Sequence, residues 1–206
     1  MKKALIFDLD GTLWDSRDTI TNAWNYVFKK NNIDLTINKK QLDNILGMTS
    51  QEIKETFFKD INNIDDIMKE CENTENIFIK KQGGILYPNT IETLKKLSTN
   101  YDLYIISNCQ KGYIESFLEY YNITYLFKDI ECSGNTLLNK EQNIKLVIAR
   151  NKITNAIYIG DTYKDYISAL NNNIEFIYAR YGFGNLEYYN YINNINELIT
   201  KLKENN

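Results

Sequence analysis

Two carboxylates set one residue apart, Asp8 and Asp10, follow the apolar run Ala4-Leu5-Ile6-Phe7 and precede Gly11-Thr12-Leu13. Strand side chains alternate faces, so both acids project the same way if strand geometry continues through them. Like unit charges ~4 Å apart at an effective dielectric of about 20 repel by roughly 4 kcal/mol. Such a pair implies a bound cation, a shared proton, or both. Three further polar groups stand out along the chain. Ser107-Asn108 follows Leu103-Tyr104-Ile105-Ile106, and Gly160-Asp161-Thr162-Tyr163-Lys164-Asp165 follows Ala156-Ile157-Tyr158-Ile159. Lys140 lies in a polar stretch before the helix-like segment from Ile144 to Asn151. All four positions are expected at the C-terminal ends of strands, where open α/β sheets place their ligand crevice.

These positions work together only if the strands end together. Short apolar runs recur at Ala4 to Phe7, Leu103 to Ile106, around Ile130, Ala156 to Ile159 and Ile174 to Tyr178, separated by segments of helical period. That alternation indicates an α/β fold, a doubly wound parallel sheet covered on both faces. The region from Ser16 to Gln82 breaks the rhythm with helical patterns alone, at Asp18 to Asn31, Lys39 to Leu46, Ser50 to Lys59 and Asp65 to Lys81. The expected organisation is a core from residues 1–15 and 84–206, with an all-helical domain inserted at 16–83. Gly83-Gly84 and the chain's only proline, Pro88, punctuate the return to the core. Helices are expected at Ile91 to Leu97 and at Ile195 to Leu202.

Composition narrows the chemistry. The 206 residues carry 24 basic and 27 acidic side chains, intermixed, for a net charge of -3. No basic stripe marks a nucleic-acid partner. No apolar run approaches the roughly 20 residues a bilayer helix needs, and the first residues enter a strand pattern at once, so a cytoplasmic protein with no membrane partner is expected. Cys71, Cys109 and Cys132 suit neither a disulfide framework nor a zinc cluster and are expected as reduced, mostly buried thiols. The chain contains no histidine. Ser-His-Asp and Cys-His nucleophile systems and imidazole-based zinc sites are thereby excluded, and proton transfer falls to carboxylates, lysines or tyrosines.

Asp8-Leu9-Asp10-Gly11-Thr12, Ser107, Lys140 and Gly160-Asp161 with Asp165, in that order, resemble the motifs of the haloacid dehalogenase superfamily. The similarity covers nearly the whole chain, because the helical block sits where the phosphoglycolate-phosphatase-like branch carries an inserted cap. The resemblance implies a phosphatase acting on a small phosphorylated metabolite with Mg²⁺ as cofactor, as a monomer or dimer. Asp8 would be the nucleophile that forms an aspartyl-phosphate, and Asp10 the acid and base. Asp161 would bind the metal with Asp8 and the backbone carbonyl of Asp10. Asp165 would contribute to the metal site through a bound water or from behind it. Ser107, Asn108 and Lys140 would hold the phosphate oxygens. Three acids and a phosphate monoester against one lysine also explain why a divalent cation should be required.

Each residue carries a plainer reading beside the sharp one. Ser107-Asn108 is a common turn pair, and Asp161 with Asp165 would dress a helix N-terminus. Lys140 is followed by Glu141 where the superfamily often has proline, which leaves Lys145 as a substitute. Cys109 is expected to be structural. Tyr181-Gly182-Phe183-Gly184 is equally consistent with a rim of the site and with a plain turn. Trp14, Trp24, Tyr26, Lys39 and Leu46-Gly47-Met48-Thr49 are candidates to face the crevice from the cap side. No arginine lies between Arg17 and Arg150. That absence disfavours the alternative of a phosphotransferase or sugar-phosphate mutase whose cap clamps a second anion with arginine. Asp10 disfavours the dehalogenase and phosphonatase branches, whose motifs lack an acid there. A non-catalytic binding protein is the remaining alternative.

Overall fold

Four consecutive buried apolar residues make β1 (Ala4–Phe7), and a strand with no polar face has to lie inside a sheet. The computed structural model describes residues 2–59 and 61–204. Among these, β1 is flanked by β4 (Asp102–Ser107) and β6 (Ala156–Gly160), and the sheet continues outward to β5 (Phe127–Cys132) on one side. On the other side lie β7 (Glu175–Ala179) and β8 (Tyr191–Ile192), giving six strands in the order β5-β4-β1-β6-β7-β8, all parallel. The chain moves to opposite sides of β1 in turn, so a crevice opens above it where the strand order switches.

Register sets the height at which the polar groups emerge. Phe7 is level with Ile105 of β4 and with Ile159 of β6. Asp8 therefore comes one residue beyond that line, and Ser107 and Asp161 each two residues beyond it. At about 3.3 Å per residue, all three leave the sheet within a single step of one another.

Alternate side chains divide between two apolar layers. Leu5, Phe7, Leu103, Ile105, Ile157 and Ile159 face one layer, and Ile6, Tyr104, Ile106, Tyr158 and Tyr178 the other. The second layer is completed by Ile144 and Val147 of α8 (Lys140–Arg150) and Ala169 of α9 (Tyr163–Asn171). The sequence expectation of a doubly wound parallel sheet is met.

Among the described residues from 16 to 83 the regular elements are all helices: α1 (Arg17–Lys30), α2 (Lys39–Leu42), α3 (Ser50–Phe57) and α4 (Ile64–Gln82). In α1, Ile20, Ala23, Trp24 and Val27 are buried at helical spacing, and α4 answers with Ile67, Met68, Cys71 and Ile79. The chain enters and leaves this block through an antiparallel pair, β2 (Trp14–Asp15) with β3 (Ile85–Leu86). Two-residue strands carry no readable period, so the sequence does not announce them. Trp14 anchors the pair from below, edge-on to Phe117 with centroids 4.8 Å apart. Phe117 belongs to α6 (Tyr113–Tyr121), a helix that sequence patterning leaves unassigned.

Two helix boundaries differ from expectation for local reasons. The helix expected at Lys39 to Leu46 stops at Leu42, and the chain turns before Gly47, whose φ is 80°. The helix expected from Ile144 begins at Lys140, because Asn139 and Gln142 form a reciprocal capping box. Lys140 thus sits in the first turn of α8 rather than in a loop. No helix among the described residues is long and apolar enough to cross a membrane.

Candidate active site

β1 ends at Phe7, so strand alternation does not carry through the acid pair. The backbone instead turns: Asp8 N–H still donates to Ile159 O at 2.8 Å, while Asp10 bridges to Trp14 and Gly11 adopts a φ of 82°. Both acids nevertheless line the same cavity of about 60 Å³ between the sheet and the helical block.

Their surroundings differ in kind. Asp8 Oδ1 lies 2.8 Å from Lys140 Nζ. Burial pushes the Asp8 carboxyl up to about 7, against the downward pull of the Lys140 ammonium. Asp10 meets no cation at contact distance; its Oδ1 accepts from Tyr113 Oη at 2.9 Å and from Ser16 Oγ. Burial raises its pKa above the ordinary aspartate range, and these hydroxyls offset part of the rise.

Lys140 is 3% exposed and sits between two acids, Asp8 and Asp165, the latter at 2.5 Å. Burial works against its charge, but Asp165 and Asp8 hold the ammonium well above its usual pKa. Asp165 Oδ2 accepts from the backbone N–H of Thr162 at 2.9 Å and from its hydroxyl at 2.7 Å, while the Thr162 hydroxyl accepts from the Asp165 N–H. This capping box starts α9 and aims Asp165 at Lys140 at the same time. Lys145 is exposed on the far side of α8. The sequence contained the signal for this arrangement in Thr162-x-x-Asp165.

Asp161 is fully buried. Its Oδ2 accepts from the Phe183 N–H at 2.7 Å and the Gly184 N–H at 3.3 Å, and its Oδ1 lies 3.4 Å from Thr12 Oγ1. A Cβ on Gly11 would come within 2.2 Å of Asp161 Oδ2, and one on Gly182 within 2.3 Å of Asp161 Cβ. Glycine at both positions lets two loops close on this carboxylate, which makes Tyr181-Gly182-Phe183-Gly184 a clamp as well as a turn. Burial, with Asp165 and Asp8 nearby, pushes the Asp161 pKa well up. One oxygen from each of Asp8, Asp161 and Asp165 lies within 4.8 Å of the others.

Ser107 and Asn108 line the cavity, and the Asn108 side chain is tethered at both ends. Its Nδ2 donates to Gly47 O at 3.0 Å, joining the sheet to the helical block, and its Oδ1 accepts from Ser133 Oγ at 2.9 Å. Of the residues expected to face the crevice from above, Trp24, Leu46, Gly47 and Met48 do so. Trp14 is buried beneath the ribbon, Thr49 caps α3, Tyr26 is 55% exposed, and Lys39 pairs with Asp18 at the surface. Cys109 lines the cavity as a free thiol whose pKa burial raises. Ser16, Tyr113, Gln110 and Glu75 escaped sequence reasoning. Tyr113 meets Asp10 across 103 positions, and no local pattern marks such a partner.

Residues 5–179 match the family of haloacid dehalogenase-like hydrolases. This chain belongs to that family. It is 26% identical over 219 residues to a phosphoglycolate phosphatase from Psychrobacter arcticus, covering 96% of this chain and 89% of the relative. It is 24% identical over 178 residues to the pyrophosphatase PpaX of Oceanobacillus iheyensis, covering 84% of this chain and 81% of the relative. A haloacid dehalogenase-like hydrolase from Streptococcus pneumoniae has the same fold, with a TM-score of 0.79, 25% identity and 98% of each chain covered. The protein is an enzyme of the phosphoglycolate-phosphatase-like branch.

Two properties of this hydrolase's site can be measured directly. Gly11→Ala places a side chain at positive φ and against Asp161, so a loss of roughly 2 kcal/mol or more is expected in denaturant unfolding; an unchanged midpoint would contradict the close approach. Glu75, 4% exposed, is pushed by burial from 4.5 up to about 8, although Trp24 and Gln110 donate to it. Between those values the unfolded chain releases a proton that the folded chain keeps, so Glu75 removes stability as pH rises. Glu75→Gln should gain on the wild type by about 1.4 kcal/mol per pH unit between pH 5 and 8. Parallel stability curves for the two proteins would show that Glu75 is not desolvated.

Proposed function

We propose that this hydrolase is a Mg²⁺-dependent phosphatase that cleaves a small phosphomonoester through a phosphoaspartate on Asp8, with Asp10 as acid and base. The supporting observation is the contrast between the two acids: Asp8 lies against an ammonium, and the contacts of Asp10 are neutral donors. The Lys140 ammonium opposes the burial that raises the Asp8 pKa to about 7, and a divalent cation would favour the ionised nucleophile further, whereas burial with no ammonium in contact favours the protonated form of Asp10 that can donate.

The acid cluster fits a hard divalent cation. Its candidate donors are carboxylate oxygens of Asp8, Asp161 and Asp165 within 4.8 Å of one another, and these three buried acids have a single buried lysine beside them, in contact with Asp8 and Asp165. Asp8, Asp161 and the Asp10 backbone carbonyl would hold the ion. Asp165 would act from behind, since its oxygens already serve Lys140 and Thr162. When bound, the ion supplies Lewis-acid neutralisation of the phosphoryl oxygens.

In the first half-reaction an Asp8 oxygen attacks phosphorus in line as the ester P–O bond breaks, and the Asp10 carboxyl gives its proton to the leaving oxygen. In the second, the Asp10 carboxylate takes a proton from water attacking phosphorus, and the Asp8–phosphorus bond breaks to release phosphate. Ser107 Oγ, the Asn108 backbone N–H and Lys140 Nζ hold the equatorial oxygens, so that catalysis is chiefly positioning and charge stabilisation. The helical block at 16–83 acts as a cap over this centre and excludes bulk water. Purified protein should release phosphate from an aryl phosphate with Mg²⁺, lose that activity to chelator and regain it with added metal. Asp8→Asn and Asp10→Asn should each lower turnover by at least about 100-fold. Full activity in Asp8→Asn, or no metal dependence, would overturn the proposal.

A further inference from the structure

The cavity above Asp8 and Asp10 has a chemical character of its own. Its walls from the helical block are apolar, with Ile20, Trp24, Leu46, Met48, Ile53 and Met68 among them. Two carboxylates, Glu72 and Glu75 of α4, interrupt those walls, and no lysine or arginine lines the cavity. A second opening of about 70 Å³ beside the same aspartates is lined by Asp43, Thr162 and Phe183 and likewise has no basic residue.

Glu75 is oriented before any ligand arrives. Its Oε1 accepts from Trp24 Nε1 and its Oε2 from Gln110 Nε2 at 3.0 Å, both neutral donors. Each oxygen retains accepting capacity, and because these neutral contacts bring no counter-ion, burial holds the Glu75 proton up to about pH 8; an ammonium at contact distance favours the ionised form, the proton passing to solvent. Glu72 accepts from Ser50 Oγ, also neutral. A leaving group bearing a carboxylate or second phosphate would be desolvated beside Glu72 and Glu75 with no cation among the lining residues to offset the cost. A polyol could pair some hydroxyls with Glu72, Glu75 and Gln110 but would leave those directed at the Ile, Leu and Met side chains without partners. An ammonium carried on a short carbon chain meets preset carboxylate acceptors at one end and apolar walls along its length.

We propose that the substrate, within the phosphatase reading above, is the phosphomonoester of an amino alcohol, whose ammonium group is recognised by Glu75 and Glu72 and whose carbon chain lies against the apolar cap wall. Glu75 and Glu72 are then specificity-determining residues that reject anionic leaving groups. Phosphoglycolate, the substrate named for the Psychrobacter arcticus relative, carries such an anionic group and is a poor match.

Three esters of matched size test this: 3-aminopropyl phosphate, n-butyl phosphate and 3-phosphonooxypropanoate, assayed by phosphate release with Mg²⁺, with p-nitrophenyl phosphate alongside. The amine should have the highest kcat/KM and the carboxylate the lowest, separated by at least about 100-fold. Glu75→Gln should shrink the amine-to-carboxylate ratio by about tenfold or more. A carboxylate ester hydrolysed as well as the amine, or a ratio unmoved in Glu75→Gln, would overturn the inference. Failure to hydrolyse any ester, p-nitrophenyl phosphate included, would defeat the phosphatase reading instead. Calorimetric binding of the three esters to Asp8→Asn decides the pocket's preference independently of turnover: tightest binding of the amine supports it, and equal or reversed binding overturns it.

Discussion

A carboxylate is tolerated in a protein interior only where charge or hydrogen-bond donors replace the water it has lost. Beneath the crevice, Asp8 and Asp165 meet that condition by sharing the Lys140 ammonium, at 2.8 and 2.5 Å. The pairing constrains much of what surrounds it. Lys140 reaches the acids because Asn139 starts α8 at the right residue, and Asp165 is aimed because Thr162 starts α9 in the same way. Asp161 has no share of the lysine and is held instead by backbone amides of the loop at Phe183 and Gly184. One ammonium among three buried acids leaves negative charge unbalanced, and that excess is the physical case for a divalent cation.

Asp10 stands outside this network although only one residue separates it from Asp8. The turn at Gly11 directs it toward Ser16 and Tyr113, groups that donate hydrogen bonds and carry no charge. Proximity in sequence thus coexists with different electrostatic surroundings, and in the proposed reaction that difference separates the nucleophile from the proton carrier. The helical block adds a further level. Glu75 receives neutral donors from Trp24 on α1 and from Gln110 in the core, so the wall facing the leaving group is acidic and apolar at once. In the proposed reading, the chemistry at phosphorus and the choice of substrate reside in separate parts of the chain.

The centre of the sheet was legible because β1, β4, β6 and β7 carry apolar runs that end in polar groups with no place in a core, whereas β5 mixes Lys128, Asp129 and Glu131 into its strand and the two-residue β8 has no readable period. The helices α1 and α4 were legible from apolar spacing. The β2–β3 ribbon was not, since two residues have no period; α6 was left unassigned although Ile114, Phe117 and Leu118 recur at helical spacing against Glu115 and Glu119. At the site, Asp8, Asp161, Lys140 and Ser107 could be found because they follow or precede patterned elements. Tyr113, Gln110 and Glu75 could not, because each acquires its significance from a partner more than 30 residues away. The strand alternation first used to relate Asp8 and Asp10 is replaced by a turn, and their different surroundings follow from that turn.

The division of labour between the two acids is tested most directly by trapping the phosphorylated protein. Enzyme mixed with a radiolabelled phosphomonoester and quenched in acid on the millisecond scale should carry label that hydroxylamine removes, as an acyl phosphate requires. Asp8→Asn should carry none, and Asp10→Asn, given a substrate with a good leaving group, should retain label longer than the wild type because the second proton transfer is impaired. Phosphate release by the wild type with no labelled protein at any quench time, or equal labelling of Asp8→Asn, would contradict the assignment of Asp8 as nucleophile.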